Sequence, residues 1–187
     1  VETLARTQAL AEQLDRPEHL VPIMLGRWSV HLTRAELRLA LSLGKQIEDI
    51  GNGRNDINKQ WIGRLLQGIT QLYLGEFVPA RALLEEDAVQ PYRSVDPRHA
   101  HFPAFKLASA GLALALLGYI DQAHLRMNEA LLLARRIGNA FVLVQVLMHA
   151  IYLDQATGLP QRHAGELLAL STEQKFAQPL GWSLALH

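Results

Sequence analysis

A short signature, a small residue making a turn and a second small residue five positions later, returns along this chain at almost constant spacing. Ala35-Glu36-Leu37-Arg38-Leu39-Ala40, Gly75-Glu76-Phe77-Val78-Pro79-Ala80, Gly118-Tyr119-Ile120-Asp121-Gln122-Ala123 and Gly158-Leu159-Pro160-Gln161-Arg162-His163 line up. An apolar residue follows the turn by two positions in the first three copies; the fourth is degraded, with Pro160 and His163 in place of the apolar and small residues. The fifth-place residues Ala40, Ala80, Ala123 and His163 are separated by 40, 43 and 40 residues. That period holds two helices and a turn. A lone helix pair cannot bury its apolar stripe, so a chain of such pairs must stack each on the next.

The segments between the turns are helical in pattern. Leu and Ala dominate, apolar residues recur three and four apart, and no segment alternates as a strand does. Breakers cut the chain into helix-sized pieces at Asp15-Arg16-Pro17-Glu18, Gly51-Asn52-Gly53, Gly75, Gln90-Pro91, Gly118, Gly138-Asn139, Gly158-Leu159-Pro160 and Gln178-Pro179. Asp15 followed by Pro17 reads as a helix start, since Asp caps free amides and Pro is tolerated in the first turn. The expected fold is all-α, an α-solenoid of antiparallel helix pairs in one domain spanning 1-187. Its repeats cover 18-51, 55-91, 100-138 and 139-176, with partial helices at 1-15 and 178-187. Seven residues before the turns stand Trp28, Gly68, Gly111 and Ile151. Glycine inside a helix costs roughly 1 kcal/mol relative to Ala, and close packing against a neighbouring helix is the natural compensation.

Composition narrows the function. Eighteen basic side chains balance eighteen acidic ones, so the overall positive field that draws proteins onto nucleic acid or anionic lipid is missing. Without cysteine there is no disulfide, thiolate metal site or cysteine nucleophile, which fits a reducing compartment. The longest apolar stretch, Leu107 to Ile120, is too short to cross a bilayer, and Val1-Glu2-Thr3-Leu4 does not begin a secretory signal. Helical patterning at both ends, Leu4 to Leu14 and Leu180 to Leu186, leads us to expect a fragment of a longer cytoplasmic protein.

The pairings Gly68…Gly75-Glu76-Phe77…Ala80 and Gly111…Gly118-Tyr119…Ala123…Ala130 resemble the tetratricopeptide repeat, whose first helix carries a small residue before a Gly turn and whose second carries two alanines. Leu116-Leu117-Gly118-Tyr119-Ile120-Asp121-Gln122-Ala123 and the run Glu129 to Gly138 are similar to the long-period repeats of large bacterial signalling and transcription regulators. In those proteins an ATPase core is joined to a cyclase or helix-turn-helix output domain. The resemblance runs from about Pro17 to the end and implies a tetratricopeptide-like superhelix. Two departures stand out. The period exceeds the usual ~34 residues, which requires longer helices or loops. The first helix of the second repeat carries Arg64, Gln67 and Gln71 where the family buries apolar side chains, so this repeat is either rotated or polar on its inner face.

Gln60, Arg64, Gln67 and Gln71 step by four, three and four and form one polar stripe on a helix. A solvated face accounts for such a stripe; a ligand-facing groove is the functional alternative. The groove gains support from comparable rows, Arg27, His31 and Arg34 in the first repeat and Gln145, His149 and Tyr152 in the fourth. First helices of these solenoids line a concave surface, and Arg and Tyr are frequent interface anchors. The candidate binding residues are therefore Arg27, His31, Arg64, Gln67, Gln71, Gln145, His149 and Tyr152.

Other motifs read as structural. His99 and His101 lack a third ligand at a familiar offset, which leaves no metal site, and Tyr92, Arg93 and Arg98 belong to the same long loop. Glu48-Asp49 and Glu85-Glu86-Asp87 are expected at exposed helix ends. Gly51-Asn52-Gly53-Arg54 lacks the ending of a phosphate loop. Phe141, Leu143, Val144, Val146, Leu147 and Ile151, and the tryptophans 28, 61 and 182, are expected in the core. No cofactor is expected and no catalytic constellation is legible. The expected function is a non-catalytic protein- or peptide-interaction and sensing module of a multidomain regulator, binding through the concave first-helix face, with other domains of its own chain as candidate partners. A small-molecule effector receptor and a homodimerisation scaffold are the alternatives.

Overall fold

The computed structural model describes residues 17–86, 101–160 and 162–176. Every element among them is a helix: α1 Pro17–Thr33, α2 Leu37–Gly53, α3 Ile57–Tyr73, α4 Phe77–Glu85, α5 Phe102–Leu116, α6 Ile120–Ile137, α7 Ala140–Ala156 and α8 Ala164–Glu173. They fall into two compact units, α1 to α4 and α5 to α8. Outside the described residues lie the terminal helical patterns, Asp15, the segment 87–100 with His99, Tyr92, Arg93 and Arg98, and Trp182.

The turns that carry the sequence signature are left-handed helix stops. Ala35, Gly75, Gly118 and Gly158 have φ of 57°, 78°, 86° and 69°. At each, the following amide reaches back five residues: Glu36 N–H to the His31 carbonyl, Glu76 to Gln71, Tyr119 to Leu114 and Leu159 to Asp154, each at 2.9 Å. This is the Schellman closure, which satisfies carbonyls that the helix end would otherwise leave open. The same stop recurs between the pairs, at Asn55 with Asp56 N–H to the Gly51 carbonyl at 2.8 Å, and at Lys175 with Phe176 to Ser171 at 3.0 Å. Glycine has no Cβ penalty there, whereas Ala35, Asn55 and Lys175 bear one. Two stops also start the next helix well, because the Asp56 side chain accepts the amides of Asn58 and Lys59 and Asn139 accepts that of Val142.

In unit 1 the module is a helix of 17 residues followed by three turn residues, used by α1, α2 and α3 in succession. The long period therefore resides in the helices and not in the loops. Gly51-Asn52-Gly53, expected as a break, is the last turn of α2, and the chain reverses at Arg54-Asn55-Asp56. Gly51 serves packing: a methyl group on it would lie 2.5 Å from the Gln60 backbone nitrogen. Gly63 of α3 meets α2 in the same way, 2.5 Å from the Glu48 nitrogen and 2.7 Å from its Cα, and Gly44 faces Gln67 and Gly63. Three glycines thus let α2 and α3 touch backbone to backbone. Gly68 and Gly111 act as expected, the first against Leu84 of α4 and the second against the Ala123 carbonyl of α6.

Around these crossings the apolar stripes close. Ala40, Ile47, Leu65, Leu66, Ala80 and Leu84 make the centre of unit 1, all 3% exposed or less. In unit 2, α5 is almost wholly enclosed, its small residues Ala104, Ala108 and Ala113 packing beneath α6 and α7, with Met127, Leu147, Ile151 and Leu167 filling the interior. Each buried Leu, Ile or Met among them contributes about 1.5–3 kcal/mol on burial, and each alanine methyl less. In both units a helix touches the next and also the one after: α1 meets α2 and α3, and α5 meets α6 and α7. Trp61 is buried as expected. Phe141 is not: at 52% exposed it stands outside the core to which its row was assigned, because α7 turns that edge outward while burying Val144, Leu147 and Ile151.

The close α2–α3 crossing sets a strict test. Gly63→Ala drives a methyl into the α2 backbone, which has no rotamer to yield, and lowers stability by about 3 kcal/mol. Gly53→Ala, with open space around it, is neutral or stabilising by up to ~1 kcal/mol. Chemical denaturation of the two variants separates a packing glycine from an ordinary one.

Candidate functional site

The polar stripe of α3 is built into the α2–α3 crossing. Because Gly63 brings the helices together at Glu48, the Glu48 carboxylate lies within reach of two stripe residues: it accepts from Arg64 Nε at 2.8 Å and from Gln67 Nε2 at 2.6 Å. Arg64 also reaches Glu86 at 3.5 Å, and Gln60 Nε2 donates to the Gly51 carbonyl at 3.3 Å. Gln67 is 6% exposed. Glu48 was expected at an exposed helix end. It is held mid-helix and half-buried, because α2 continues to Gly53. The sequence signal for it was available, since Glu48 lies between Gly44 and Gly51 on the helix face that those glycines press against α3.

Arg27 and His31 lie on α1, beside α3. The Trp28 indole N–H donates to Thr70 Oγ1 at 3.0 Å, and Thr70 in turn donates to the Leu66 carbonyl at 2.7 Å. His31 is 4% exposed, and its Nδ1 meets Glu36 Oε2 at 2.5 Å. A carboxylate only accepts, so Nδ1 carries the proton. This hydrogen bond, with Arg34 at 3.2 Å, holds the Glu36 pKa below the ordinary carboxylate value. His31 Nε2 and Gln71 Oε1 are both buried without a hydrogen-bond partner. Sequence reasoning missed Glu36 and Thr70. Neither stands at the helical spacing that selected the stripe.

Unit 2 contributes the row on α7. Gln145, His149 and Tyr152 are half-buried, and exposed Phe141 continues the row toward the start of the helix, its ring edge-on to Phe176 at 6.2 Å. His149 Nδ1 bonds to the Gln145 carbonyl one turn back, at 2.8 Å. Loss of solvent lowers the His149 pKa, and that carbonyl only partly offsets it. At the α7–α8 turn, buried Asp154 accepts the Arg162 amide at 3.3 Å and its guanidinium at 3.4 Å. His163, in the degraded fourth signature, also has its pKa lowered by desolvation, against the pull of the Asp154 charge. A further link joins α6 to α8, where Arg135 Nη2 grips both oxygens of Glu166 at 3.1 and 2.8 Å. Such exposed pairs add at most ~1 kcal/mol each.

The candidate residues therefore form two groups, one engaged with Glu48, Glu36 and Thr70 in unit 1 and one lying half-open on α7 in unit 2. Among the described residues, no three His, Asp or Glu side chains gather as a metal site, and no helix is long and apolar enough to cross a membrane. Comparison with protein-family models, curated proteins and solved structures yields no match.

The depressed histidines fix a pH dependence. His149 and His163 bind a proton less readily when folded than at their ordinary value of 6.5, so below that value the unfolded chain takes up more protons. Stability is complete above about pH 7 and falls as pH drops through 6.5 toward the folded values. Thermal melts at pH 7.5 and 5.5 check this: the wild type loses stability at the lower pH, and His149→Leu loses measurably less.

Proposed function

We propose that this chain is a non-catalytic interaction and sensing module, a tetratricopeptide-like solenoid that takes a protein or peptide partner on its first-helix face, within a multidomain signalling or transcriptional regulator. The observation that carries the solenoid reading is the pattern of contact beyond the nearest neighbour. α1 reaches α3 and α5 reaches α7, so in each unit one first helix packs on the next, as stacked repeats require. In this reading equivalent positions of α1 and α3 are neighbours, with Arg27 and His31 on α1 answering to Gln67 and Gln71 on α3, forty residues on.

The α7 row supports binding best. Phe141, Gln145, His149 and Tyr152 occupy one helix face at intervals of four, four and three residues. An exposed aromatic ring, a half-buried tyrosine and an amide combine apolar area with directional hydrogen bonds, the composition of an interface anchor. The unit 1 row, whose donors are engaged with Glu48, acts in this reading as the support of the surface and not as its contact atoms. A partner's effect on an output domain then requires different affinities for two states of the module.

Calorimetry of the 187-residue chain against the other domains of its full-length protein tests the proposal. We expect saturable binding to one of them, weakened about tenfold or more by Phe141→Ala, with a thermal melt of the variant showing that loss of the Phe176 ring contact leaves the chain folded. Leu132→Ala, on the outward side of α6 and 63% exposed, leaves it unchanged. Absence of binding to every domain removes the intramolecular version.

A further inference from the structure

Of the five asparagines in the chain, Asn52 alone is followed by glycine; Asn55, Asn58, Asn128 and Asn139 precede Asp56, Lys59, Glu129 and Ala140. The difference is chemical. The side-chain amide of an asparagine carries an electrophilic carbon, Cγ, and the backbone nitrogen of the next residue completes a five-membered ring with it. Such a closure is intramolecular and is favoured over any bimolecular attack. A side chain on the following residue screens its nitrogen and restricts the backbone rotation that ring closure needs, and glycine does neither.

Asn52 and Gly53 lie in the last turn of α2, and both are exposed. A methyl group placed on Gly53 would meet nothing within 4 Å. Among the described residues the Asn52 side-chain amide forms no hydrogen bond. It is the Asn52 backbone carbonyl that is engaged, accepting from the Arg54 amide and from the Asn55 amide at 3.3 Å. Because the Arg54 amide turns back only two residues, the helical ladder stops at Gly53, a residue type about 1 kcal/mol poorer than Ala in a helix. A helical backbone holds the Gly53 nitrogen away from Asn52 Cγ, so ring closure proceeds from the frayed helix end, where that conformation is easiest to leave. Two other asparagines are placed differently: Asn128 lies inside α6, and the Asn139 side chain caps α7 by accepting the Val142 amide at 3.2 Å.

We propose that Asn52 is a site of spontaneous covalent modification whose products loosen the α2–α3 crossing. The Gly53 nitrogen attacks Asn52 Cγ; the new C–N bond forms as the bond from Cγ to Nδ2 breaks, and the Gly53 proton leaves with the side-chain nitrogen as ammonia. The product is a cyclic imide. Water then opens it at one of its two carbonyls. Cleavage at Cγ leaves aspartate at position 52 on the original main chain. Cleavage at the backbone carbonyl leaves an isoaspartyl linkage, in which the main chain runs through Cβ and Cγ and the former carbonyl becomes a free carboxylate. Either product puts a negative charge at the C-terminal end of α2, where the helix dipole disfavours it, with Asp49 one turn earlier and Asp56 just beyond. The isoaspartyl form also adds an atom to the main chain inside the turn that the Asp56 amide closes on the Gly51 carbonyl at 2.8 Å. It takes out of the main chain the carbonyl to which the Arg54 and Asn55 amides bond. Gly51, the preceding residue, is where the missing Cβ admits the Gln60 backbone, so the strain falls on one of the closest points of the crossing.

Incubation of the whole chain in warm neutral buffer, followed by peptide mapping with mass spectrometry, tests the proposal. Asn52 should convert to aspartate and isoaspartate at least about tenfold faster than any of the other four asparagines. Hydroxylamine, which traps the imide, should cut the chain between Asn52 and Gly53. Gly53→Ala, which leaves the fold intact, should slow the conversion about tenfold or more, because its methyl group screens the attacking nitrogen and favours the helical conformation. The isoaspartyl form, separated from the unmodified chain by ion exchange, should melt at a lower temperature than that chain. Conversion of Asn52 at the common rate of the other asparagines, or a rate unchanged by Gly53→Ala, overturns the site. An isoaspartyl form that melts together with the unmodified chain overturns its effect on the crossing. No partner is present in these measurements, so neither result depends on whether the calorimetric binding succeeds.

Discussion

The left-handed helix stop is the constraint from which the rest of this fold follows. A helix ends when one residue takes positive φ and the next amide turns back to a carbonyl five residues earlier. Positive φ recurs at 35, 55 and 75, and again at 118, 138 and 158, so a helix ends every twenty residues within each unit; at each of these except 138 the back-bond accompanies it. The equal lengths of α1, α2 and α3 bring their apolar stripes back to the same side, so that neighbours close over one another. Hydrophobic burial supplies the stabilisation, but the stops decide which stripes meet.

Close backbone contact at α2–α3 carries a second lesson. Where Gly44, Gly51 and Gly63 bring the helices together, side chains at the crossing have little room and must find partners inside it. Glu48 answers with one carboxylate for two donors, Arg64 and Gln67. Desolvated charge gains little net stability even when paired, yet removal of one partner is expensive. Such a network fixes how the helices cross more than it strengthens the crossing. At the α1–α3 seam the polar contact is a chain instead, from the Trp28 indole through Thr70 to the Leu66 carbonyl.

Much of the fold is legible in the sequence because it rests on local rules. The turn at Gly75, the alanine five residues on and the glycine seven residues earlier are short-range signals, and the helices, the left-handed φ and the buried Ala80 agree with them. Gly51-Asn52-Gly53 misled because a glycine that ends a helix and a glycine that admits a neighbour look alike until the neighbour is known. Phe141 misled for a related reason: periodicity places it on the edge of an apolar row, and only the packing of α5 and α8 decides which edge faces out. The candidate site was legible as a set of helix faces, Arg64 with Gln67 and Gln145 with Tyr152. Its internal partners were not, since Glu48, Glu36 and Thr70 are linked to the stripe through tertiary distance and not through spacing.

The uniform module of unit 1 bears on how such a chain can change over time. Adding one residue inside a 17-residue helix rotates everything beyond it by about 100°. Such a change at α3 would carry Gly63 away from Glu48 and push a bulkier neighbour into the α2 backbone. A single residue inserted before Gly63 in α3 therefore costs the crossing itself, which ties the length of that helix to the fold.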